Sequence, residues 1–254
     1  MKRALIAAAA AALIAAGCYC CYRYYQHDIL PEKQLDEANE SQLRLFQDVK
    51  PRILIPEASQ AEQTETAETE DPLDAAEEVN SSVVGWLTVP GTHIDYPICQ
   101  AEDNDFYLHN GFDGKFNHNL GCPFLDYRCE PGFTGFNSIV YAHHMTKFRM
   151  FADVAQYKEK WFMQSHPTGQ LTLHDGVHEI RFFAYLSVPS NAPAYHAVFV
   201  TESERQEYLD YLFEAASYCT VDAGTLNTDT RLILLSTCTF EYEEARGVLV
   251  GEIT

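Results

Sequence analysis

From Val83 to the C-terminus the chain breaks into short runs, each about the length of a strand, in which apolar residues either alternate with polar ones or run on. The runs read VVGWLTV, HIDYPI, CPFLD, SIVYAHH, QLTLHD, HEIRFFAYLSV, RLILLSTC and GVLVGEI. β-Branched and aromatic residues are frequent in them, and Gly, Pro, Asn or Asp punctuates many of the gaps. Two stretches have another period. FRMFADVAQYKEKWFMQS and ESERQEYLDYLFEAASYC repeat apolar residues every three to four positions, which predicts helices. About eight strands with two inserted helices predict a mainly β domain, a small closed eight-stranded barrel.

The N-terminal third has no such pattern. After MKR, the run from Ala4 to Tyr22 is uncharged and about as long as a helix that crosses a bilayer. Lys2 and Arg3 precede it and acidic residues predominate after Arg23, so the expected topology has the N-terminus in the cytoplasm and the rest outside. A cleaved secretory signal would share the basic start and the Ala-rich stretch, and a lipoprotein would use Cys18. All three readings export the protein. An amphipathic helix is expected around LDEANESQLRLFQDV. The stretch from Glu57 to Glu78 then carries nine acidic residues and neither a basic nor an aromatic one. Such a segment buries too little apolar surface to fold alone and extends by self-repulsion. The expected layout is therefore an anchor over 1–30, a helical segment and acidic stalk over 31–78, and a folded domain over 79–254.

Composition narrows the partners. The 254 residues carry a formal net charge of −20, and no basic patch is available for phosphates, so no nucleic-acid partner is expected. Of eight cysteines, Cys18, Cys20 and Cys21 lie in or beside the membrane segment, and Cys99, Cys122, Cys129, Cys219 and Cys238 lie in the body. An odd number in the body leaves at least one thiol over. Cys122 and Cys129 could pair if the loop between them folds back. No paired CxxC, His-rich or calcium-loop spacing appears, so neither a metal nor another cofactor is expected.

The chemistry concentrates near the C-terminus. Cys238 ends the strand-like RLILLST, where a buried strand emerges, and shares a face with Ser236 while Leu235 and Thr237 take the other. A thiol becomes a strong nucleophile as thiolate, which a nearby cation favours, although a buried cysteine closing a strand is also common. Arg246 follows eight residues later, across a loop able to fold as a hairpin. Its guanidinium suits a carbonyl or a developing oxyanion, or else a salt bridge to Glu241, Glu243 or Glu244. A phosphatase loop needs five residues between its Cys and Arg; seven intervene here, three of them glutamates. SIVYAHHM supplies an acid–base candidate in His143 or His144, of which only one can face a given site.

These residues together resemble the sortases, cysteine transpeptidases of Gram-positive cell surfaces, and class B most closely. LSTCTFEYEEAR is similar to the family's T-L-x-T-C…R signature, and YAHHM to its Y-G-H-x-M segment. DNDFYLHNGFDGKFNHNLGCPFLDYR and FRMFADVAQYKEKWFMQSHP are similar to two further class B stretches, so the likeness runs from about residue 80 to 254. Ala142 stands where the family has Gly, Cys129 where it often has Asn, and Val154 where it has Leu. The resemblance implies that Cys238 attacks the Thr carbonyl of a sorting motif near the C-terminus of an exported protein and forms a thioester. His143 would then shuttle the proton and Arg246 hold the oxyanion or the motif. An amine of a peptidoglycan precursor or a pilin would resolve the thioester. Ser236, Thr237 and Tyr195 are the expected substrate contacts. A tethered enzyme meets membrane-held substrates more often, which fits the anchor. The rivals are a cysteine endopeptidase that hydrolyses its acyl-enzyme and a non-catalytic module that binds sorting motifs.

Overall fold

In a computed structural model, the described residues are 16–51, 71–116, 121–145, 149–239 and 244–254. They form two compact units, one up to Leu45 and one from Phe46 to Thr254. The first is helical: a π-helical turn, Tyr25–Ile29, leads into α1, Leu30–Val49, the amphipathic helix expected there. Most of the expected membrane run, residues 4–15, lies outside the described residues. Among the described residues no helix is long and apolar enough to cross a membrane.

The second unit is built on β1 (Val83–Thr88), β2 (Asp95–Cys99), β3 (Phe124–Leu125), β4 (Asn137–Tyr141), β5 (His144–Met145), β6 (Arg149–Met150), β7 (Thr168–Leu173), β8 (Gly176–Pro189), β9 (Ala216–Cys219), β10 (Arg231–Cys238) and β11 (Ala245–Ile253). The strands follow the order β11-β10-β4-β3-β2-β1-β7-β8, and β8 pairs back onto β11. That closes an eight-stranded barrel, as the strand pattern predicts. β9 adds to the outer part of β8, and β5 with β6 forms a separate two-stranded ribbon.

Burial explains the two kinds of strand pattern. In β10 every residue from Leu232 to Thr237 is buried, because β4 and β11 flank it and other elements cover its outer face. The first half of β8 alternates outward and inward, whereas Phe182–Leu186 is buried throughout. There the helix Glu202–Ala215 packs Tyr208, Leu209 and Leu212 inward. Thr201 starts that helix with a capping box, its hydroxyl accepting from the Glu204 N–H while the Glu204 carboxylate accepts from the Thr201 N–H.

Three expectations change. ESERQEYLDYLFEAASYC is helical only to Ala215. From Ala216 the chain extends and pairs with β8, where Tyr218 is buried, so strand pairing overrides the helical period. FRMFADVAQYKEKWFMQS is not one helix either. Arg149–Met150 is a strand, Ala152–Lys158 a 3₁₀ helix and Lys160–Ser165 an α-helix, with the break at the extended Glu159. The barrel unit also begins earlier than Val79. Phe46 is buried against Trp86, Tyr96 and Phe112, with ring centroids 5.6–6.3 Å apart. Leu73 and Ala76 are buried, and Asp71 accepts from the His174 ring, so the last part of the acidic stretch is packed. The rest of that stretch, 57–70, lies outside the described residues.

Candidate active site

Two strand pairings bring the candidates together. β4 and β10 run parallel, with Leu235 beside Val140 and Ser236 beside Tyr141. Two residues further along, both chains emerge at the same rim, one as His143 and the other as Cys238. β10 and β11 run antiparallel with Cys238 directly opposite Arg246. The thiol, the imidazole and the guanidinium all line one cavity of about 500 Å³.

The chain fixes this rim by bonds that continue past the strands. The Ala142 N–H donates to the Ser236 carbonyl, 3.2 Å, and the Thr237 hydroxyl donates to the Ala142 carbonyl, 2.9 Å. Thr237 thus lines the cavity with its hydroxyl committed to the backbone beside His143. The His143 Nε2 lies 2.8 Å from the Leu108 carbonyl oxygen. A carbonyl only accepts, so Nε2 carries a proton in this contact, and Nδ1 is left to gain or lose one. His144 points elsewhere, as alternation requires. It is half-buried and hydrogen-bonds the Cys238 backbone, and burial pushes its imidazole below the usual histidine range, towards the neutral form.

Ser236 and Tyr195 form a further lip of the cavity. Their hydroxyl oxygens are 2.9 Å apart, and the Tyr195 ring stacks on Tyr141 with centroids 6.0 Å apart. Burial pushes the Tyr195 phenol up to about 12, partly opposed by the Ser236 hydrogen bond and the Arg246 cation, so it keeps its proton at neutral pH. Arg246 donates to the Ala245 carbonyl at 3.2 Å, and the neighbouring Glu244 carboxylate accepts from Ser190. Glu241 and Glu243 lie outside the described residues.

Beneath this lip is a carboxylate to which the sequence motifs assign no role. Asp126 is fully buried. It accepts from both the Nε and an Nη of Arg128, 2.8 and 2.7 Å, from the Arg128 N–H, from Asn104 and from the Tyr141 hydroxyl. Arg128 in turn donates to the Tyr195 carbonyl, 3.2 Å. Asn104, Leu108, Arg128 and Tyr141 all line the cavity, and none is expected from spacing. The signal lies in DNDFYLH and FLDYR, whose polar residues interrupt otherwise strand-like or helical runs.

Gly121 lies against the His143 ring. Its φ is +54°, and a Cβ there would lie 2.7 Å from the Tyr107 carbonyl oxygen and 2.9 Å from His143 Cδ2. Gly121→Ala therefore forces either the backbone or the imidazole to move. We expect a loss of about 1–3 kcal/mol by thermal or denaturant unfolding, with a fall in turnover larger than any change in substrate binding. Unchanged turnover would mean that His143 does not depend on this contact.

A closed barrel that gathers a thiol, an imidazole and a guanidinium on one rim is the architecture of a cysteine acyl-transfer enzyme. The chain is 34% identical over 188 residues to sortase B of Listeria monocytogenes, covering 73% of this chain and 75% of that one. It is 27% identical over 182 residues to sortase B of Staphylococcus aureus, covering 71% and 73%. The structure of Clostridium perfringens sortase B superposes with a TM-score of 0.66 at 25% identity, covering 70% of this chain and 97% of that one. No protein-family model matches the chain. It belongs to the class B sortases, and is a cysteine transpeptidase.

Proposed function

We propose that Cys238 is the nucleophile, His143 the acid–base group and Arg246 the oxyanion and substrate clamp of this transpeptidase. The observation that carries the reading is the strand register: parallel β4–β10 and antiparallel β10–β11 pairing converge three chemically complementary side chains on one cavity. The Cys238 thiolate attacks the carbonyl carbon of a threonine in a substrate's C-terminal sorting motif. The Arg246 guanidinium stabilises the developing oxyanion. The His143 Nδ1 protonates the leaving amine, the peptide bond breaks, and a thioester remains on Cys238. An amine of a peptidoglycan precursor or a pilin then attacks that thioester, gives its proton to His143 and leaves with the acyl chain. Ser236 and Tyr195 present hydroxyls to the motif, while Thr237 acts through Ala142 by holding the end of β4.

The same reading covers the chain ahead of the barrel. Residues 1–30 act as an anchor with the N-terminus inside, the acidic stretch ahead of Asp71 as a spacer, and the barrel works on the outer face, where exported substrates pass. The apolar run Ala4–Tyr22 and the charges flanking it support this.

The test is mass spectrometry on the full chain in detergent, with L-P-x-T-G-like and N-P-x-T-N-like peptides, each with and without an amine acceptor. We expect cleavage after Thr and a product joined to the amine. Cleavage to the free acid that no amine diverts would replace this reading with a hydrolytic endopeptidase. Binding of the peptides with no turnover would replace it with a motif-binding module.

A further inference from the structure

Outside the cavity two thiols face each other in the core. Cys99 ends β2 and Cys122 precedes β3; both are buried, and their sulfurs are 3.8 Å apart. Cys129, also buried, does not share this arrangement: its thiol donates instead to the Asn137 carbonyl, 3.3 Å. Proximity along the chain would set Cys122 against Cys129, but the thiol that faces Cys122 is that of Cys99, across the sheet where β2 and β3 run side by side.

We propose that Cys99 and Cys122 are a disulfide site, closing when the chain folds in the presence of a disulfide donor and clamping the end of β2 to the segment that supports His143. The sulfurs must approach by roughly 1.8 Å to reach bonding distance, a displacement within reach of a side-chain rotation. The clamp would act on a defined part of the site. Cys122 follows Gly121, which packs on the His143 ring, and the Cys122 N–H donates to the Tyr107 carbonyl, 3.0 Å. The next carbonyl, that of Leu108, holds His143 Nε2. On the other side, Asn80 donates to the Cys99 sulfur, the Tyr107 hydroxyl and the Phe112 carbonyl, so the same cluster ties the first strand's approach to this shelf.

The chemistry is thiol–disulfide exchange. One cysteine, as thiolate, attacks a donor disulfide and releases one donor thiol, forming a mixed disulfide. The second cysteine, deprotonated, attacks its partner's sulfur and releases the other donor thiol. The two protons end on the two released thiols, and the donor is the oxidant. Burial pushes the Cys122 thiol well up, so exchange in the folded barrel is slow and the bond forms while the chain folds. Where such a donor is met rests on the outward placement proposed above; the test below does not depend on it.

The full chain would be unfolded with reductant, then refolded in detergent in a buffer of oxidised and reduced glutathione, denatured in a thiol-alkylating reagent without reductant, and digested. The expected result is one cross-linked peptide pair joining Cys99 to Cys122, lighter by two hydrogens than its reduced parts, with Cys238 alkylated. The 23-residue separation predicts that reductant lowers the thermal midpoint of this oxidised protein by roughly 5–10 °C, and that neither Cys99→Ala nor Cys122→Ala responds to reductant. Full alkylation of both cysteines, or a link from either one to Cys129, Cys219 or Cys238, would overturn the proposal. The readouts are mass and melting, so an inactive but correctly linked protein would count against the catalytic reading and not against the disulfide.

Discussion

Cys238→Ala should abolish transpeptidation, lowering kcat by about 10⁴-fold or more, while peptide binding and the thermal midpoint stay close to those of the parent. The magnitude follows from the mechanism. Without the sulfur there is no thioester, and the remaining donors can bind a carbonyl but cannot transfer it. Stability should hold because Cys238 is only half-buried at the open end of β10, where removing a sulfur leaves no closed cavity. Arg246→Ala should cost less, about 10²–10³-fold in kcat, since it removes one stabilising cation from a site that keeps its nucleophile. Arg246→Lys should recover only part of that, because a point charge replaces a planar fork. The discriminating measurement is rapid-quench detection of the acyl-enzyme. Arg246→Ala should accumulate it slowly, and Cys238→Ala should accumulate none. Normal turnover in Cys238→Ala would remove the cysteine from the mechanism altogether.

Cys238 and Arg246 are legible as a pair in the sequence because of how β10 and β11 are written. RLILLSTC is apolar almost throughout and GVLVGEI is close to it, so both read as buried strands, and the short polar loop between them leaves a hairpin as the economical connection. A hairpin places its two ends side by side whatever the rest of the fold does. His143 is legible for a different reason: a histidine pair at a strand end permits one inward ring, and the family resemblance selects the first. The remaining features depend on contacts between residues far apart in sequence. Whether Cys99 meets Cys122 depends on β2 lying beside β3, a pairing that periodicity does not specify. The change from helix to strand at Ala216 arises because β8 offers an open edge there, and a local apolar period carries no information about such an edge. The 3₁₀ segment Ala152–Lys158 likewise keeps a helical repeat in sequence while Glu159 breaks it in space.

The Asp126 carboxylate is the clearest case of a residue whose importance lies in tertiary contacts alone, and it carries the second large effect. Asp126→Asn should destabilise the protein by about 3 kcal/mol and reduce kcat/KM, although Asp126 does not itself line the cavity. Burial sets the cost. A fully buried carboxylate persists as an anion only if its oxygens are satisfied, and here Arg128, Asn104 and Tyr141 satisfy them. Burial alone would raise its pKa, but the Arg128 and Asn104 hydrogen bonds outweigh it and hold the carboxyl below its ordinary range. An amide matches the shape but offers one acceptor where two were used, and its NH₂ group would face the donors of Arg128. The Arg128 side chain is 36% exposed and can turn to water, which keeps the expected cost near the lower end for a broken buried pair. Tyr141 also donates to this carboxylate, so its ring and the Tyr195 ring stacked on it should loosen, carrying the disturbance to Ser236. The sign of the pH dependence follows from linkage. A carboxyl with a depressed folded pKa contributes stability that is fully present above its unfolded value, near pH 4, and that is lost as pH falls through the folded value. Denaturant unfolding from pH 7 to pH 3 should therefore show the parent losing stability below about pH 4 more steeply than Asp126→Asn, so that the gap between them narrows with acid. A gap that stays constant over that range would mean that the Asp126 carboxyl titrates alike in the folded and unfolded chain, and the ion pair would not be what supports the lip formed by Tyr195 and Ser236.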